Sequence, residues 1–238
     1  MFQLSIIKDT IPVQPCDFGL PAPQALTTEL NKKYANKVLH NVGLGICVFD
    51  FVEVGEGKVR YGDGLLWYRL TFRLVVFRPF VSEVILAKVQ TSDHEGMRLS
   101  LGFFDDIYIP AVYLPQPSTF DPIDRAHFWL LNAPDGADTE MTMHQLLDTP
   151  KDERLYILKG DTVRVRVEAD EFYDDEPGPV KKSELNAAAN PASDAARVQP
   201  KRSPYTITCS MAEQGLGPIW WWNGGEAEEG DDDAMDQS

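Results

Sequence analysis

The sequence Thr-Val-Arg-Val-Arg-Val occupies residues 162–167, with a valine at every second position. Side chains alternate between the two faces of a β-strand, so this pattern predicts a strand whose valines line a core. Arg164 and Arg166 then stand on the opposite face, about 7 Å apart at a rise of roughly 3.3 Å per residue. The stretch therefore predicts a half-buried strand with a cationic outer surface.

Short strand-like runs recur on both sides of this stretch. They occupy residues 83–92, 97–101, 106–109, 126–131, 155–158 and 205–211. Many short strands separated by turns, with no helical period between them, are typical of a five-stranded OB-type β-barrel. Two polar stretches with turn signals are interpreted as surface insertions in this barrel, at residues 132–154 and 176–204.

A different pattern occupies the first 80 residues. Apolar side chains recur every four positions from Leu26 to Val38, which predicts an amphipathic helix over residues 23–39. Pro12 and Pro15 limit the chain after the first strand to an edge strand or an extended segment. The strand-like runs of this part are residues 2–8, 46–54, 58–61 and 65–77. The predicted fold class is therefore α+β.

Three regions follow from these patterns. Residues 1–80 form a small sheet domain, residues 81–223 form the barrel domain, and residues 224–238 form an acidic tail. The tail carries seven acidic residues and no basic one, so it is expected to be disordered. It is either a solubilising terminus, or a competitor for nucleic acid or a contact for a basic partner.

Composition excludes several classes of protein. The chain carries 22 basic and 37 acidic residues, a net charge of −15, and 43% hydrophobic residues, which suits a folded soluble protein. No apolar run approaches the roughly 20 residues of a membrane-spanning helix, and Lys8 and Asp9 interrupt the apolar start. Neither a membrane span nor a secretion signal is predicted. Three scattered cysteines give no disulfide framework.

Catalytic motifs are not found. The stretch GEGKV at residues 55–59 lacks the spacing and the Ser or Thr of a phosphate-binding loop, so it is interpreted as a hairpin turn. Neither a metal site nor a cofactor is predicted, because the histidines are scattered along the chain. Each is interpreted as an ordinary surface or half-buried side chain; they are His40, His94, His127 and His144. The adjacent Asp105 and Asp106 are interpreted as turn carboxylates, with a carboxylate-based hydrolase as the weaker alternative.

The barrel domain carries residue types that favour RNA binding over catalysis. Single-stranded RNA is bound by cations that attract phosphates and by flat rings that stack on bases. The candidate RNA-binding residues are Lys88, Arg98, Phe103, Tyr108, Trp129, Arg164 and Arg166. Core packing is an equally good explanation for Phe103 and Trp129. Residues 81–176 carry 20 acidic and 8 basic side chains, so RNA affinity is expected to be weak and local.

The end of the barrel domain is rich in tryptophan. Residues 216–222 read LGPIWWW and hold three of the five tryptophans in the chain. Three adjacent indoles cannot all face inward on one element. At least one is expected to contact a partner or a neighbouring domain.

Long stretches of this chain resemble the family of the RNA polymerase III stalk subunit, which has related stalk subunits in RNA polymerase II and in archaeal RNA polymerase. The resemblance covers nearly the whole chain outside the insertions and the tail. The matching stretches are MFQLSIIKDTIPVQP (1–15), ELNKKYANKVLHNVGLGICVFD (29–50), GDG (62–64), FRLVVFRPFVSEVILAKV (72–89), EGMRLSLGFFDDIYIP (95–110), PYTITCSM (204–211) and GLGPIWWW (215–222). Polymerase III is favoured over polymerase II by FRPF followed by SEV, by SLGFFDDIYIP and by the long insertions.

The resemblance implies a truncated RNP-like tip domain followed by an S1-like OB barrel. The tip would dock on the polymerase core through residues 15–20 and 57–64, where the candidate docking residues are Pro15, Phe18, Gly19, Gly57, Gly62, Asp63 and Gly64. The helix and the linking strands would pack on a smaller helical stalk partner. The barrel would face nascent RNA through residues 95–99 and 107–109, and Met97 stands where S1 domains commonly carry a ring.

The expected function is that of a non-catalytic subunit of a nuclear enzyme. It would support transcription initiation at genes for small RNAs such as tRNA and 5S rRNA, in contact with initiation factors. Two alternatives stay open. One is the equivalent stalk subunit of another nuclear RNA polymerase, and the other is a free-standing S1-type RNA-binding protein.

Overall fold

A computed structural model of the chain describes residues 1–130, 146–174 and 202–222. Contacts divide the chain into two compact units. The first unit comprises Met1–Pro79 with Glu171–Thr206, and the second comprises Phe80–Asp170 with Ile207–Ser238. The predicted acidic tail and most of the two predicted insertions lie outside the described residues.

An antiparallel sheet with one helix on its face builds the first unit. The strands pair in the order β1-β5-β3-β2, and β4 pairs with β5. Their bounds are β1 Phe2–Val13, β2 Val38–Leu39, β3 Gly43–Val54, β4 Lys58–Val59 and β5 Leu66–Phe77, with helix α1 at Ala22–Tyr34. Strand β1 continues beyond the predicted residue 8, and Pro12 lies in it opposite Trp67. A proline is tolerated there because β1 is an edge strand.

The helix α1 is shorter than the predicted helix over residues 23–39. It ends at Tyr34 because Asn36 adopts a left-handed conformation with φ of 57°. The Asn36 N–H donates to the Gly45 carbonyl at 2.8 Å, and the Gly45 N–H donates to the Lys37 carbonyl at 2.9 Å. These bonds draw Val38 and Leu39 into the sheet, so the apolar period continues past the helix as strand β2.

The core of the first unit lies between α1 and the sheet. Its buried members are Ile11, Val13, Ala25, Leu26, Leu30, Leu70, Phe72, Leu74 and Val76. Asp9 links β1 to the helix, since its carboxylate accepts hydrogen bonds from Lys33 Nζ at 2.5 Å and Tyr34 Oη at 2.6 Å. Burial would raise the pKa of Asp9, but these bonds outweigh it and hold the pKa below its usual range.

A closed five-stranded barrel builds the second unit, which confirms the predicted α+β fold class with an OB-type barrel. The ring runs β6-β7-β8-β13-β12, and a pairing between β12 and β13 closes it. Its strands are β6 Val84–Asp93, β7 Gly96–Ser100, β8 Ile107–Pro110, β12 Thr162–Phe172 and β13 Tyr205–Ser210. As predicted, the valines of β12 at positions 163, 165 and 167 are fully buried. A short strand β14, Gly217–Pro218, pairs with β12 outside the ring.

A three-stranded sheet adds a small second core to this unit. It consists of β9 Ser118–Asp121, β10 Ala126–Leu130 and β11 Arg154–Ile157. The core cluster comprises Phe128, Leu130 and Leu146, with Leu147 and Tyr156 packed on it. Strand β9 was not predicted, because Ser118 and Thr119 carry no apolar alternation.

A buried ion pair holds this small sheet together. The side chains of Arg154 and Asp121 are only 6% and 4% exposed, and Arg154 Nη1 lies 3.4 Å from Asp121 Oδ2. Arg154 Nη2 also donates to the carbonyls of Leu147 and Thr149, each at 2.6 Å. Burial alone would raise the pKa of Asp121, but hydrogen bonds from Ile123 N–H and other donors, with the charge of Arg154, hold that pKa below its usual range.

Candidate docking and nucleic-acid surfaces

Strand register brings the two predicted docking segments to the same end of the first sheet. Trp67 of β5 lies between Pro12 of β1 and Lys58 of β4, and Leu66 lies between Val13 and Val59. The chain leaves β1 at Val13 and enters the segment at residues 15–20. Because neighbouring strands are about 4.8 Å apart, that segment and the loop at residues 57–64 emerge roughly 10 Å from each other.

The first docking segment offers an accessible aromatic ring. Pro15 begins a short 3-10 helix, Pro15–Asp17, and both Pro15 and Gly19 are exposed. The Phe18 side chain is 49% exposed, as an apolar anchor for a partner would be. No atom lies within 4 Å of a Cβ built on Gly19, so the surface beside Phe18 is open.

The second segment is held by its own residues. Asp63 accepts hydrogen bonds from Trp67 Nε1 at 3.2 Å and from the Leu65 N–H at 3.1 Å, so this predicted docking residue organises the loop. Gly62 and Gly64 have φ values of 95° and 67°, which glycine adopts without strain, and both face open space. A Cβ on Gly57 would meet the Tyr68 ring at 2.8 Å.

Sequence reasoning missed two apolar side chains in this loop. Tyr61 is fully exposed, and Val59 is also largely exposed. Their exposure could have been predicted from their position, because a large apolar side chain within a glycine-rich turn is far from any core. Tyr61 and Phe18 therefore give this end of the sheet two exposed aromatic side chains.

Three predicted RNA-binding residues share the outer face of adjacent barrel strands. Lys88 of β6 lies opposite Ser100 of β7, and Arg98 of β7 lies opposite Tyr108 of β8. Paired residues in a sheet point to the same side, and Arg98 is two positions from Ser100. Lys88 and Arg98 are exposed and Tyr108 is half-buried. We call Lys88, Arg98 and Tyr108 the β6–β8 face.

Carboxylates flank one end of the β6–β8 face. Burial raises the pKa of Tyr108, and the nearby charges of Glu95 and Asp93 raise it further, against the effect of Arg98. The phenol therefore stays neutral and can donate a hydrogen bond. The same carboxylates repel phosphate, so the cationic part of this face is its Lys88 and Arg98 end.

A groove of about 300 Å³ adjoins Lys88 on the outer surface of the barrel. Its lining residues are Leu86, Ala87, Lys88, Ser100, Leu101, Gly102 and Thr162. Phe103 follows the lining residue Gly102 in the sequence and is 45% exposed. The groove thus contains one cation, Lys88, and the hydroxyl groups of Ser100 and Thr162.

The remaining predicted RNA-binding residues lie elsewhere. Arg166 forms ion pairs with Glu168 and Glu213, and Arg164 donates to the Gly215 carbonyl at 3.3 Å. Trp129 belongs to β10, where its ring lies 5.2 Å from the Trp221 ring. Met97, which the resemblance places at the ring position of S1 domains, is fully buried in the barrel and cannot contact RNA.

The other chemical candidates are in structural positions. Asp105 accepts a hydrogen bond from Ser100 Oγ in the turn after β7. His40 and His94 are exposed, and His144 lies outside the described residues. His127 is buried, contrary to the prediction, with Nε2 2.8 Å from the Asp93 carbonyl oxygen and burial lowering its pKa.

Neither a metal-binding cluster nor a membrane-crossing helix is found among residues 1–130, 146–174 and 202–222. No group of three or more His, Cys, Asp or Glu side chains in those ranges is arranged to hold a metal ion. No helix of the same ranges has the length and apolar character needed to cross a membrane.

Comparison with known proteins gives matches over both units. The sequence profile described as RNA polymerase III subunit Rpc25 matches residues 83–222. The profile described as the SHS2 domain found in the N terminus of Rpb7p and Rpc25p matches residues 8–64.

Similar full-length proteins occur in distant eukaryotes. DNA-directed RNA polymerase III subunit rpc8 of Schizosaccharomyces pombe is 40% identical, over 93% of this chain and 100% of that protein. The RPC8 subunit of Bos taurus is 37% identical, over 93% of this chain and 98% of that protein. RNA polymerase II subunit RPB7 of Saccharomyces cerevisiae is 26% identical over 51% of this chain, so the preference for polymerase III is confirmed. The chain belongs to the Rpc25/Rpc8 family of RNA polymerase III subunits.

Proposed function

We propose that the chain is a non-catalytic subunit of nuclear RNA polymerase III, docked through its first unit and presenting its barrel to nascent RNA. The observation that carries the proposal is the 40% identity to the fission yeast subunit along the full length of that protein. A relative that matches both units supports the same two-part role in this chain.

The docking part rests on the end of the first sheet. Phe18 and Tyr61 are exposed rings on segments that strand register places side by side. Exposed aromatic side chains are the residue type that most often anchors a protein interface. The polymerase core is the proposed partner, and the glycines at positions 19, 62 and 64 leave its surface room to approach.

A smaller helical stalk subunit is the second proposed partner. Phe2, Leu4 and Ile6 lie on the face of β1 opposite helix α1, and all three are largely exposed. Phe49 of β3 is also exposed and lies 5.4 Å from the Arg73 guanidinium, which is paired with Asp50 on the same sheet. Exposed apolar side chains that share one face of a folded unit favour burial of that face against another protein.

Chromatin occupancy tests the polymerase class. A tagged chain expressed in its own organism is expected to be enriched at tRNA and 5S rRNA genes, together with initiation factors of that system. Enrichment at protein-coding genes would instead support the alternative of a polymerase II stalk subunit. A chain bound to RNA but to no gene would support the free-standing RNA-binding alternative.

The RNA contact makes a separate prediction. Replacing both Lys88 and Arg98 by alanine is expected to weaken oligouridine binding about tenfold at low salt, because two phosphate contacts are lost. The slope of log affinity against log salt should fall by roughly 1.4, at about 0.7 per phosphate on a single strand. The measurement is a fluorescence anisotropy titration at several salt concentrations.

The matched control removes a cation elsewhere on the same unit. Arg125 is exposed in the turn between β9 and β10, so Arg125→Ala changes the net charge without touching the β6–β8 face. Its affinity for oligouridine is expected to match that of the unmodified chain. Equal losses in Arg125→Ala and in the double variant would show that the β6–β8 face is not the RNA site.

A further inference from the structure

Strand β6 carries two apolar side chains on its outer face. Val84 is 52% exposed and Leu86 is 54% exposed, whereas Ile85 and Ala87 are buried in the barrel. The solvent face of a strand whose other face is buried is usually polar, so this pair is unusual. We call the groove of about 300 Å³ that Leu86 lines the β6 groove. Its other lining residues are Ala87, Lys88, Ser100, Leu101, Gly102 and Thr162.

The β6 groove lies where strand β7 ends. Lys88 is paired with Ser100, the last residue of β7, so no residue of β7 lies opposite Leu86. The chain turns away at this point, since the Leu101 N–H donates to the Phe104 carbonyl at 2.9 Å. On its other side, Leu86 is covered by strand β12.

The backbone of Leu86 is directed into the opening. On the β12 side, the Val167 N–H donates to the Glu83 carbonyl at 2.9 Å. The Val89 N–H likewise donates to the Asp161 carbonyl at 3.0 Å. Backbone bonds alternate in direction along an antiparallel strand, so the odd-numbered residues of β6 between these two bonds face β12 and the even-numbered ones face the other way. The N–H and C=O of Leu86 therefore point into the β6 groove, as those of an edge strand would.

Charge at the β6 groove favours an acidic ligand. Among the lining residues, all of which belong to the described part of the chain, Lys88 is a cation and none is a carboxylate. Arg164 lies opposite Leu86 on β12 and donates to the Gly215 carbonyl, a neutral acceptor. Leu86 thus has one cation on the neighbouring strand and another two positions along its own strand, about 7 Å away at roughly 3.3 Å per residue.

The carboxylates closest in sequence to the lining are engaged in turns. Asp105 accepts a hydrogen bond from Ser100 Oγ, and Asp161 accepts one from the Leu158 N–H at 2.8 Å. The lining also contributes no aromatic ring on which a base could stack, whereas its two leucines suit an apolar side chain. The β6 groove therefore fits an acidic protein segment better than a nucleic acid.

We propose that the β6 groove binds an extended acidic segment of a partner protein. The segment pairs with the backbone of Leu86 where β7 ends, with an apolar side chain beside Leu86 and a carboxylate two positions away beside Lys88. Addition of a strand at an open sheet edge is a recurring mode of peptide recognition. Lys88 is shared with the β6–β8 face, but Leu86 belongs to the groove alone, so the proposal does not depend on the RNA contact.

Peptide binding to the full chain tests the apolar contact. The probe is a short fluorescein-labelled peptide of repeated Leu-Ser-Glu-Ser units, in which a carboxylate lies two positions from each leucine. Leu86→Ala is expected to weaken its binding about tenfold, because the partner of the leucine is lost. Ile123→Ala removes an exposed apolar side chain elsewhere in the same unit and is expected to leave the peptide affinity unchanged. Circular dichroism establishes that both variants are folded.

Charge reversal tests the contact with the carboxylate. Lys88→Glu is expected to weaken binding of the Leu-Ser-Glu-Ser peptide about tenfold, because an attraction becomes a repulsion. The same variant should bind a peptide of Leu-Ser-Lys-Ser units more tightly than the unmodified chain does. Failure of the lysine peptide to gain affinity would show that Lys88 does not face the ligand.

Methylation of the peptide backbone tests strand addition without changing the protein. A Leu-Ser-Glu-Ser peptide methylated on its leucine nitrogens lacks the donors that would pair with the Leu86 carbonyl, and about tenfold weaker binding is expected. Equal affinity of the two peptides, or of Leu86→Ala and the unmodified chain, would overturn the proposal. So would loss of oligouridine binding in Leu86→Ala without loss of peptide binding, since the groove would then be a nucleic-acid site. A dimer of the unmodified chain that Leu86→Ala dissociates in sedimentation would assign the groove to a second copy instead.

Discussion

Arg154→Leu is expected to lower the free energy of unfolding of the second unit by about 3 kcal/mol or more, because it leaves the Asp121 carboxylate buried without its counter-charge. Arg154 also satisfies the carbonyls of Leu147 and Thr149, which lose their donors in the variant. Urea denaturation followed by tryptophan fluorescence measures the change. Four of the five tryptophans of the chain lie in this unit, at positions 129, 220, 221 and 222.

Two further variants separate the buried charge from simple loss of packing. Asp121→Asn in the Arg154→Leu background removes the unpaired carboxylate and is expected to restore part of the lost stability. Lys151→Met breaks the exposed pair with Asp124 and is expected to change stability little. If Lys151→Met and Arg154→Leu destabilise the chain equally, burial of the pair is not the cause.

The pH dependence of the free energy of unfolding tests the same ion pair independently. The lowered pKa of Asp121 means that its pairing stabilises the unmodified chain above the unfolded pKa, and that this stabilisation is lost as the pH falls through the folded pKa. In Arg154→Leu, protonation of Asp121 at low pH removes the buried charge that has lost its partner. The difference in stability between the two chains should therefore narrow in acid.

Phe18→Asp combined with Tyr61→Asp is expected to reduce association with the polymerase core by at least about tenfold. Both rings are exposed, so neither contributes much to the fold, and a charged residue at the centre of an apolar interface is buried without a partner. The measurement is recovery of core subunits with a tagged chain from cell extract. Circular dichroism of the purified variant establishes that the fold is intact.

A charge introduced elsewhere controls for solubility effects in this experiment. Ile123 is 84% exposed in the turn between β9 and β10 of the second unit. Ile123→Asp is expected to leave recovery of the core unchanged. Gly64→Val is a poorer test, because a valine at φ of 67° strains the loop whether or not the partner is present. Full recovery of core subunits with the double variant would exclude residues 15–20 and 57–64 as the docking site.

The fold was largely predictable because alternation is strong where one strand face is buried. The valines of β12 are the clearest case, since every second residue from 163 to 167 has no solvent exposure. The end of α1 was not predictable from period alone. Val38 continues the four-residue spacing of the helix, and only the left-handed Asn36 and its bond to Gly45 show that the chain has turned.

The candidate sites were harder to predict, because residue type does not reveal which charges are already paired. Arg164 and Arg166 alternate with buried valines as an RNA-binding face would. In the structure, however, Arg166 forms ion pairs with Glu168 and Glu213, and Arg164 donates a hydrogen bond to the Gly215 carbonyl. Glu213 is 47 positions from Arg166, so no local pattern indicates this contact. Lys88, Arg98 and Tyr108 did come together, because strand register is set by the same alternation that identified the strands.

Purification of the tagged full-length chain from its own organism tests the central claim most directly. The proposal predicts that the catalytic core of RNA polymerase III is recovered with it in near-equal amounts, together with one smaller helical subunit, and that quantitative mass spectrometry identifies them. Recovery of the chain without any polymerase core, or with the core of another RNA polymerase, would contradict the proposed function.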